Sequence, residues 1–169
     1  MPTAQADVGC EVHKVSLERL SWERFGSLAI DLAEKIGREY AANVVVGVGK
    51  SGVIPAAIIA KVLGVAEFYS VTVKFYDEGK PPERLLEEPE IVYHNVGDLR
   101  GKRVLVVDDF FRTGSTLDSV LKVMREKGAD EVRVAVIALR EDAKTRPDYY
   151  AMKFKDCVMF PWDLQQKPH

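Results

Sequence analysis

Val104-Leu105-Val106-Val107-Asp108-Asp109-Phe110-Phe111-Arg112-Thr113-Gly114-Ser115-Thr116-Leu117 is the stretch on which the fold turns. Four β-prone apolar residues in a row fit a strand covered on both faces, and the spacing of Leu117, Val120, Leu121 and Met124 predicts a helix after it. The sequence reads strand, loop, helix, with the acid pair where the strand ends. In an open α/β sheet that edge is where ligands bind. Two adjacent negative charges repel each other unless hydroxyls or a cation accept them, and a helix cap would need only one acid.

Thr113, Gly114, Ser115 and Thr116 add hydroxyls and closely spaced backbone N–H groups at a helix N-terminus, which is a seat for phosphate. Carboxylates accept sugar hydroxyls, so acid pair and phosphate seat together describe a site for a phosphorylated sugar.

The stretch resembles the phosphoribosyl-diphosphate signature of the type I phosphoribosyltransferases: an apolar strand, two acids, two apolar residues, Asp-Thr-Gly, then a small residue and Thr. The likeness runs from Val104 to Leu117 and departs at Arg112, where a third acid is common. It implies an α/β fold: a doubly wound, mainly parallel sheet with helices on both faces and a small hood built from the chain ends.

With 169 residues, 47% of them hydrophobic and 30% charged, the chain has the length of one domain, expected to span 1–169, and the make-up of a soluble globular protein. A net charge of −2 without a long basic run gives no electrostatic footprint for nucleic acid, so no such partner is expected. Residues 1–12 read as a flexible tail without the apolar segment of a leader, and no stretch reaches membrane-spanning length. A cytoplasmic location follows as the expectation. Cys10 and Cys157 lack zinc-ligand spacing and are expected as thiols, and His13, His94 and His169 are scattered like surface residues.

Along the chain, Ser21 is placed to cap a helix whose apolar positions Phe25, Leu28, Ala29, Leu32, Ala33 and Ile36 share one face, with Gly37 placed to end or loosen it. Val44-Val45-Val46 predicts a buried strand running into Gly47-Val48-Gly49-Lys50-Ser51-Gly52. Gly47, Gly49 and Gly52 satisfy the dinucleotide fingerprint, with Glu67 as the following acid, but Pro55 would then fall inside the helix. A P-loop fails because position 44 is Val44. The segment reads instead as a tight loop suited to a diphosphate, with Lys50 adding charge and the helix beginning at Ile54 or Pro55.

That helix closes at Gly64, and strands are predicted at Phe68 to Phe75, Ile91 to Tyr93, Val132 to Leu139 and from Tyr149. Residues 77–90, rich in acid and proline, are the candidate mobile loop. The final aromatic pair around Pro161 reads as exposed.

Pro161-Trp162-Asp163 and Ser21-Trp22 resemble the xanthine-guanine branch of the same family. The resemblance implies transfer of a 5-phosphoribosyl group from phosphoribosyl diphosphate to a 6-oxopurine by a homo-oligomer active in purine salvage. Asp108 and Asp109 would hold the ribose hydroxyls, with Asp109 nearer a Mg2+ ion. Arg112, Thr113, Gly114, Ser115 and Thr116 would hold the 5′-phosphate side, and Lys50, Ser51 and Gly52 the diphosphate. Arg140, the Val158 backbone, Trp162 and Asp163 would meet the base, although Cys157 replaces the aromatic expected to stack on it. Transfer to another base, adenine first, and a non-catalytic regulator that binds phosphoribosyl diphosphate are the competing readings.

Overall fold

The computed structural model describes residues 16–75 and 86–163. Its elements run β1 (Leu17–Arg19), α1 (Trp22–Glu39), β2 (Val44–Val48), α2 (Val53–Leu63), β3 (Glu67–Lys74), β4 (Glu90–His94), β5 (Arg103–Phe111), α3 (Ser115–Glu126), β6 (Glu131–Arg140), β7 (Tyr149–Phe154) and β8 (Cys157–Met159). The expectations for residues 1–12, for Cys10, His13 and His169, and for most of 77–90 lie outside the described residues.

Six strands form one sheet in the order β4-β3-β2-β5-β6-β7. Within it β3 and β4 pair antiparallel, and the other neighbouring strands pair parallel. β5 lies between β2 and β6, which explains its unbroken apolar start, since a central parallel strand is covered on both faces. On one face Val45, Leu105 and Val107 pack with α1 and α2. On the other, Val44, Val46, Val104 and Val106 pack with Leu117, Val120 and Met124 of α3. The expected doubly wound α/β fold is therefore the one observed, and β1 with β8 forms a separate two-stranded hood.

Ser21 caps α1 through its side chain, accepting from the Arg24 N–H at 3.1 Å, and all six apolar positions named for that helix are buried. Gly37 does not end the helix, which continues to Glu39. A Cβ at Gly37 would lie 3.1 Å from Leu63 Cδ2, so its small size serves the packing of α1 on α2. α2 starts at Val53, slightly earlier than predicted, which leaves Pro55 in the first turn where its missing N–H has no intrahelical partner to lose.

Two further expectations are corrected. The final aromatics are not exposed: Phe160 is 2% exposed, and its ring stacks on Trp162 with centroids 4.7 Å apart. Phe25 meets Trp162 edge-on at 5.1 Å, so the aromatic end of the chain packs on the start of α1. Cys157 is buried and disulfide-bonded, not a free thiol; spacing excludes a zinc motif but sets no limit on a disulfide. No helix among the described residues is long and apolar enough to cross a membrane.

Candidate active site

β5 extends past the acid pair to Phe111, so Asp108 and Asp109 belong to the strand itself and the following loop is short. Gly114 takes φ +88° there, and a Cβ on it would lie 2.9 Å from Phe111 Cζ, so both backbone and space demand glycine. Ser115 and Thr116 occupy the first turn of α3. Thr113 Oγ1 and Ser115 Oγ lie 3.2 Å apart. Across from them, Gly49, Lys50 and Ser51 bridge β2 to α2, and together these segments line a cleft of about 250 Å³ at the carboxyl edge of the sheet. The two loops singled out from sequence thus share one cavity.

Within it, the Asp109 N–H donates to Asp108 Oδ1 at 2.9 Å and the Phe110 N–H donates to Asp109 Oδ1 at 2.9 Å. Asp109 is 7% exposed. Burial raises both carboxyls; Asp109's own charge raises Asp108 further, and Asp163 adds to Asp109, which is pushed up to about 6. A strand that places two charges at such cost fits a site completed by a cation or by donors from a ligand. Among the described residues no group of three or more His, Cys, Asp or Glu side chains is placed to hold a metal ion. The acid pair offers oxygens only, which suits a hard divalent cation that takes its remaining ligands from a bound molecule.

Gly52 has a different part from the one expected. Its N–H donates to the Val48 carbonyl at 3.1 Å, so it is not available to a diphosphate. What Gly52 provides is close approach, since a Cβ there would lie 2.7 Å from Asp108 Oδ1. Lys50 is exposed at the cleft mouth.

A second pocket of about 220 Å³ opens beside the first and shares Ser51, Asp109, Phe110 and Arg112 with it. Phe154, Asp156, Cys157, Val158, Phe160 and Asp163 complete it. Asp163 Oδ2 accepts from the Phe160 N–H at 2.9 Å, and its carboxyl is raised by burial. Val158 and Asp163, the residues expected to meet a base, both line this second pocket. Arg140 and Trp162 line neither pocket. Arg140 is held by Asp142 through Nε at 2.6 Å and Nη2 at 2.8 Å, so any base contact would require that pair to open. Trp162 belongs to the aromatic cluster of the hood.

Sequence reasoning missed Phe110, Phe154 and Asp156. Phe110 had counted only as one of two apolar residues after the acids, although its place beside them was the available signal. Glu67, the acid of the rejected dinucleotide motif, starts β3 at the opposite end of the sheet and pairs with Lys102 at 2.9 Å. That position removes it from any ligand at the carboxyl edge.

A family model described as the phosphoribosyl transferase domain matches residues 18–168. The chain is 35% identical to a purine phosphoribosyltransferase from Pyrococcus horikoshii OT3, whose crystal structure superposes with a TM-score of 0.76 over 90% of this chain and 96% of that one. It is 33% identical over 119 residues to the transcriptional regulator GfcR of Methanocella arvoryzae, 68% of this chain and 56% of that protein. It is 27% identical over 146 residues to the xanthine-guanine phosphoribosyltransferase of Idiomarina loihiensis, 86% of each. The chain spans little more than half the length of the GfcR relatives.

Proposed function

The chain belongs to the phosphoribosyl transferase domain family, and on that premise we propose that it transfers the 5-phosphoribosyl group from phosphoribosyl diphosphate to a 6-oxopurine, giving a nucleoside monophosphate and diphosphate in purine salvage. The observation that carries this reading is the acid pair Asp108 and Asp109, the first half-buried and the second buried, set between the loop at Thr113 to Thr116 and the loop at Lys50, with the second pocket opening from Asp109.

The C1–O bond to diphosphate breaks with its electron pair leaving on the diphosphate oxygen, and a ring nitrogen of the base forms the new bond to C1. Positive charge builds on the ribose while negative charge builds on the leaving group, so the protein's part is positioning and electrostatics. Asp108 and Asp109 accept the ribose hydroxyls. Thr113, Gly114, Ser115 and Thr116 hold the 5′-phosphate at the start of α3, with Arg112 beside them, and Lys50 and Ser51 face the diphosphate. Mg2+, held by Asp109 and substrate oxygens, would neutralise the diphosphate. Arg112 can only donate, so it does not take the proton released by the base nitrogen. Asp163, a carboxylate of the base pocket whose burial holds its pKa up, is the group suited to receive it.

A second reading is supported by the GfcR relatives: a domain that binds phosphoribosyl diphosphate as a signal. Assay of nucleotide formation from Mg-phosphoribosyl diphosphate with hypoxanthine, guanine, xanthine, adenine, uracil and orotate separates the two. Turnover with 6-oxopurines is expected. Turnover only with adenine or a pyrimidine would overturn the base assignment, and binding without turnover on any base would favour the sensor.

A further inference from the structure

A further cavity of about 400 Å³ lies between α3 and the segment 145–148 that leads into β7. Leu121, Val132 and Pro147 give it apolar walls, and its volume is that of a small-molecule site. Phe111, Thr113, Gly114 and Leu117 line this cavity as well as the cleft that holds the acid pair. The loop at the start of α3 is therefore a partition between the two. Thr145 meets that partition from the cavity side, since a Cβ on Gly114 would lie 3.3 Å from Thr145 Oγ1.

The charges around the cavity fall into two groups. Those near the amino edge of the sheet are already engaged. Asp148 accepts from Arg133 Nη1 at 3.0 Å and from the Val134 N–H at 2.8 Å, and Glu131 accepts from Arg133 Nε at 2.8 Å. Asp130 accepts from the Gly101 N–H at 3.0 Å. Arg125 and Arg146 are different: both are exposed, and among the described residues neither guanidinium has a hydrogen bond or an ion pair. Asp118, two turns before Arg125 on the same side of α3, is the lining acid whose carboxylate is likewise unengaged among the described residues.

That combination defines a ligand. Two uncommitted guanidinium forks suit the oxygens of a phosphate, and a separate carboxylate accepts only from hydroxyl or amino donors. An inorganic ion would leave the apolar walls and most of the volume unused.

We propose that this cavity binds a small organic phosphate that also carries hydroxyl or amino groups, and that its occupancy is coupled to the cleft through Gly114. The coupling rests on reading Thr113 to Thr116 as the 5′-phosphate loop; the binding does not. A ligand held between α3 and residues 145–148 fixes the wall against which Gly114 is set, and so changes the free energy of shaping that loop around a phosphate.

The test saturates the full chain with ribose 5-phosphate, which fills the sugar-phosphate seat of the cleft, and titrates it by calorimetry with ATP, fructose 1,6-bisphosphate and citrate. At least one of the two phosphates should bind once per chain, and more tightly than citrate. The double variant Arg125→Ala/Arg146→Ala should weaken that binding by about tenfold or more, the loss expected for charge-assisted hydrogen bonds. Arg125→Lys/Arg146→Lys, which keeps the charge and removes the fork, should also bind more weakly, and it replaces the alanine pair if that pair melts below the parent. Binding of neither phosphate, or binding equal in parent and variants, overturns the site, and tighter binding of citrate overturns the phosphate. The dissociation constant of ribose 5-phosphate, measured with and without the bound probe, should differ by about fivefold or more, and by less in the double variant. An unchanged constant overturns the coupling. Failure of the phosphoribosyl reading is seen separately: a chain that does not bind ribose 5-phosphate removes that reading, while the dependence of probe binding on Arg125 and Arg146 still decides the cavity.

Discussion

Gly52 and Asp108 approach so closely that a Cβ on Gly52 would sit 2.7 Å from the Asp108 carboxylate oxygen and 2.9 Å from the Asp108 Cα, and would also collide with the Val48 carbonyl. The loop after β2 and the acid pair of β5 therefore form one mechanical unit. Gly52→Ala cannot be absorbed by a flexible side chain, because two of its three clashes are with backbone. We expect about 1–3 kcal/mol of destabilisation and a rise of at least about tenfold in the apparent KM for phosphoribosyl diphosphate. Thermal melts with and without that ligand, together with initial rates, check this. A variant with normal melting and a normal KM would show that the two segments need not touch.

Asp109→Asn removes a charge that burial disfavours while keeping size and most hydrogen-bonding capacity. Turnover should fall by at least about a hundredfold through loss of electrostatic stabilisation, while the ligand-free protein should melt no lower than the parent. Mg-dependent rates and calorimetric melting of the two proteins supply the measurement. A parallel loss of stability and activity would make Asp109 a structural residue.

The same group fixes a pH dependence. The Asp109 carboxyl is raised to about 6, against about 3.9 when exposed, so between those values the folded chain holds a proton that the unfolded chain has released. Its contribution to stability is therefore greatest at low pH and is lost as pH rises through about 6. Binding of Mg-phosphoribosyl diphosphate needs the carboxylate and has the opposite trend, weakening as pH falls below that value. Calorimetry in two buffers of different ionisation enthalpy should detect proton release on binding near pH 6. Asp109→Asn should abolish most of it.

Arg112 lines both pockets, the one proposed for the phosphoribosyl group and the one proposed for the base. A guanidinium offers only donors there, whereas a carboxylate offers only acceptors. Arg112→Asp should change the ratio of kcat/KM between bases by about tenfold or more, with a smaller effect on the KM for phosphoribosyl diphosphate. An unchanged base profile with weakened phosphoribosyl diphosphate binding would assign the side chain to the phosphate alone.

Much of this was legible in the chain because β5 is both the sheet centre and the site. A run of four apolar residues covered on both faces can be read without knowing its neighbours, and a pair of acids at its end is hard to explain structurally. Other features depend on contacts that local sequence does not carry. Gly37 reads as a helix breaker until Leu63 is seen against it, and Gly52 reads as a donor until its N–H is seen bonded to Val48. Trp162 and Phe160 read as exposed because Trp162 is covered by Phe25, on the first helix, and in turn stacks on Phe160. Phe110 reads only as one of two apolar residues after the acids, because hydrophobicity alone does not tell which apolar residue of a strand is left open.

The pairing of β1 with β8 joins segments 140 positions apart through Leu17 with Cys157, Glu18 with Val158 and Arg19 with Met159. Among the described residues β8 has no other partner strand, so this wall of the proposed base pocket lies outside the ladder that holds β2, β5 and β6. A three-residue peripheral ladder opens at lower free-energy cost than the centre of a six-stranded sheet, even with Cys157 tethered by its disulfide. The amide protons of this pair should therefore exchange with solvent well before those of Val104 to Val107. Under the proposed assignment, the base wall and the phosphoribosyl seat would then belong to parts of the molecule with different lifetimes.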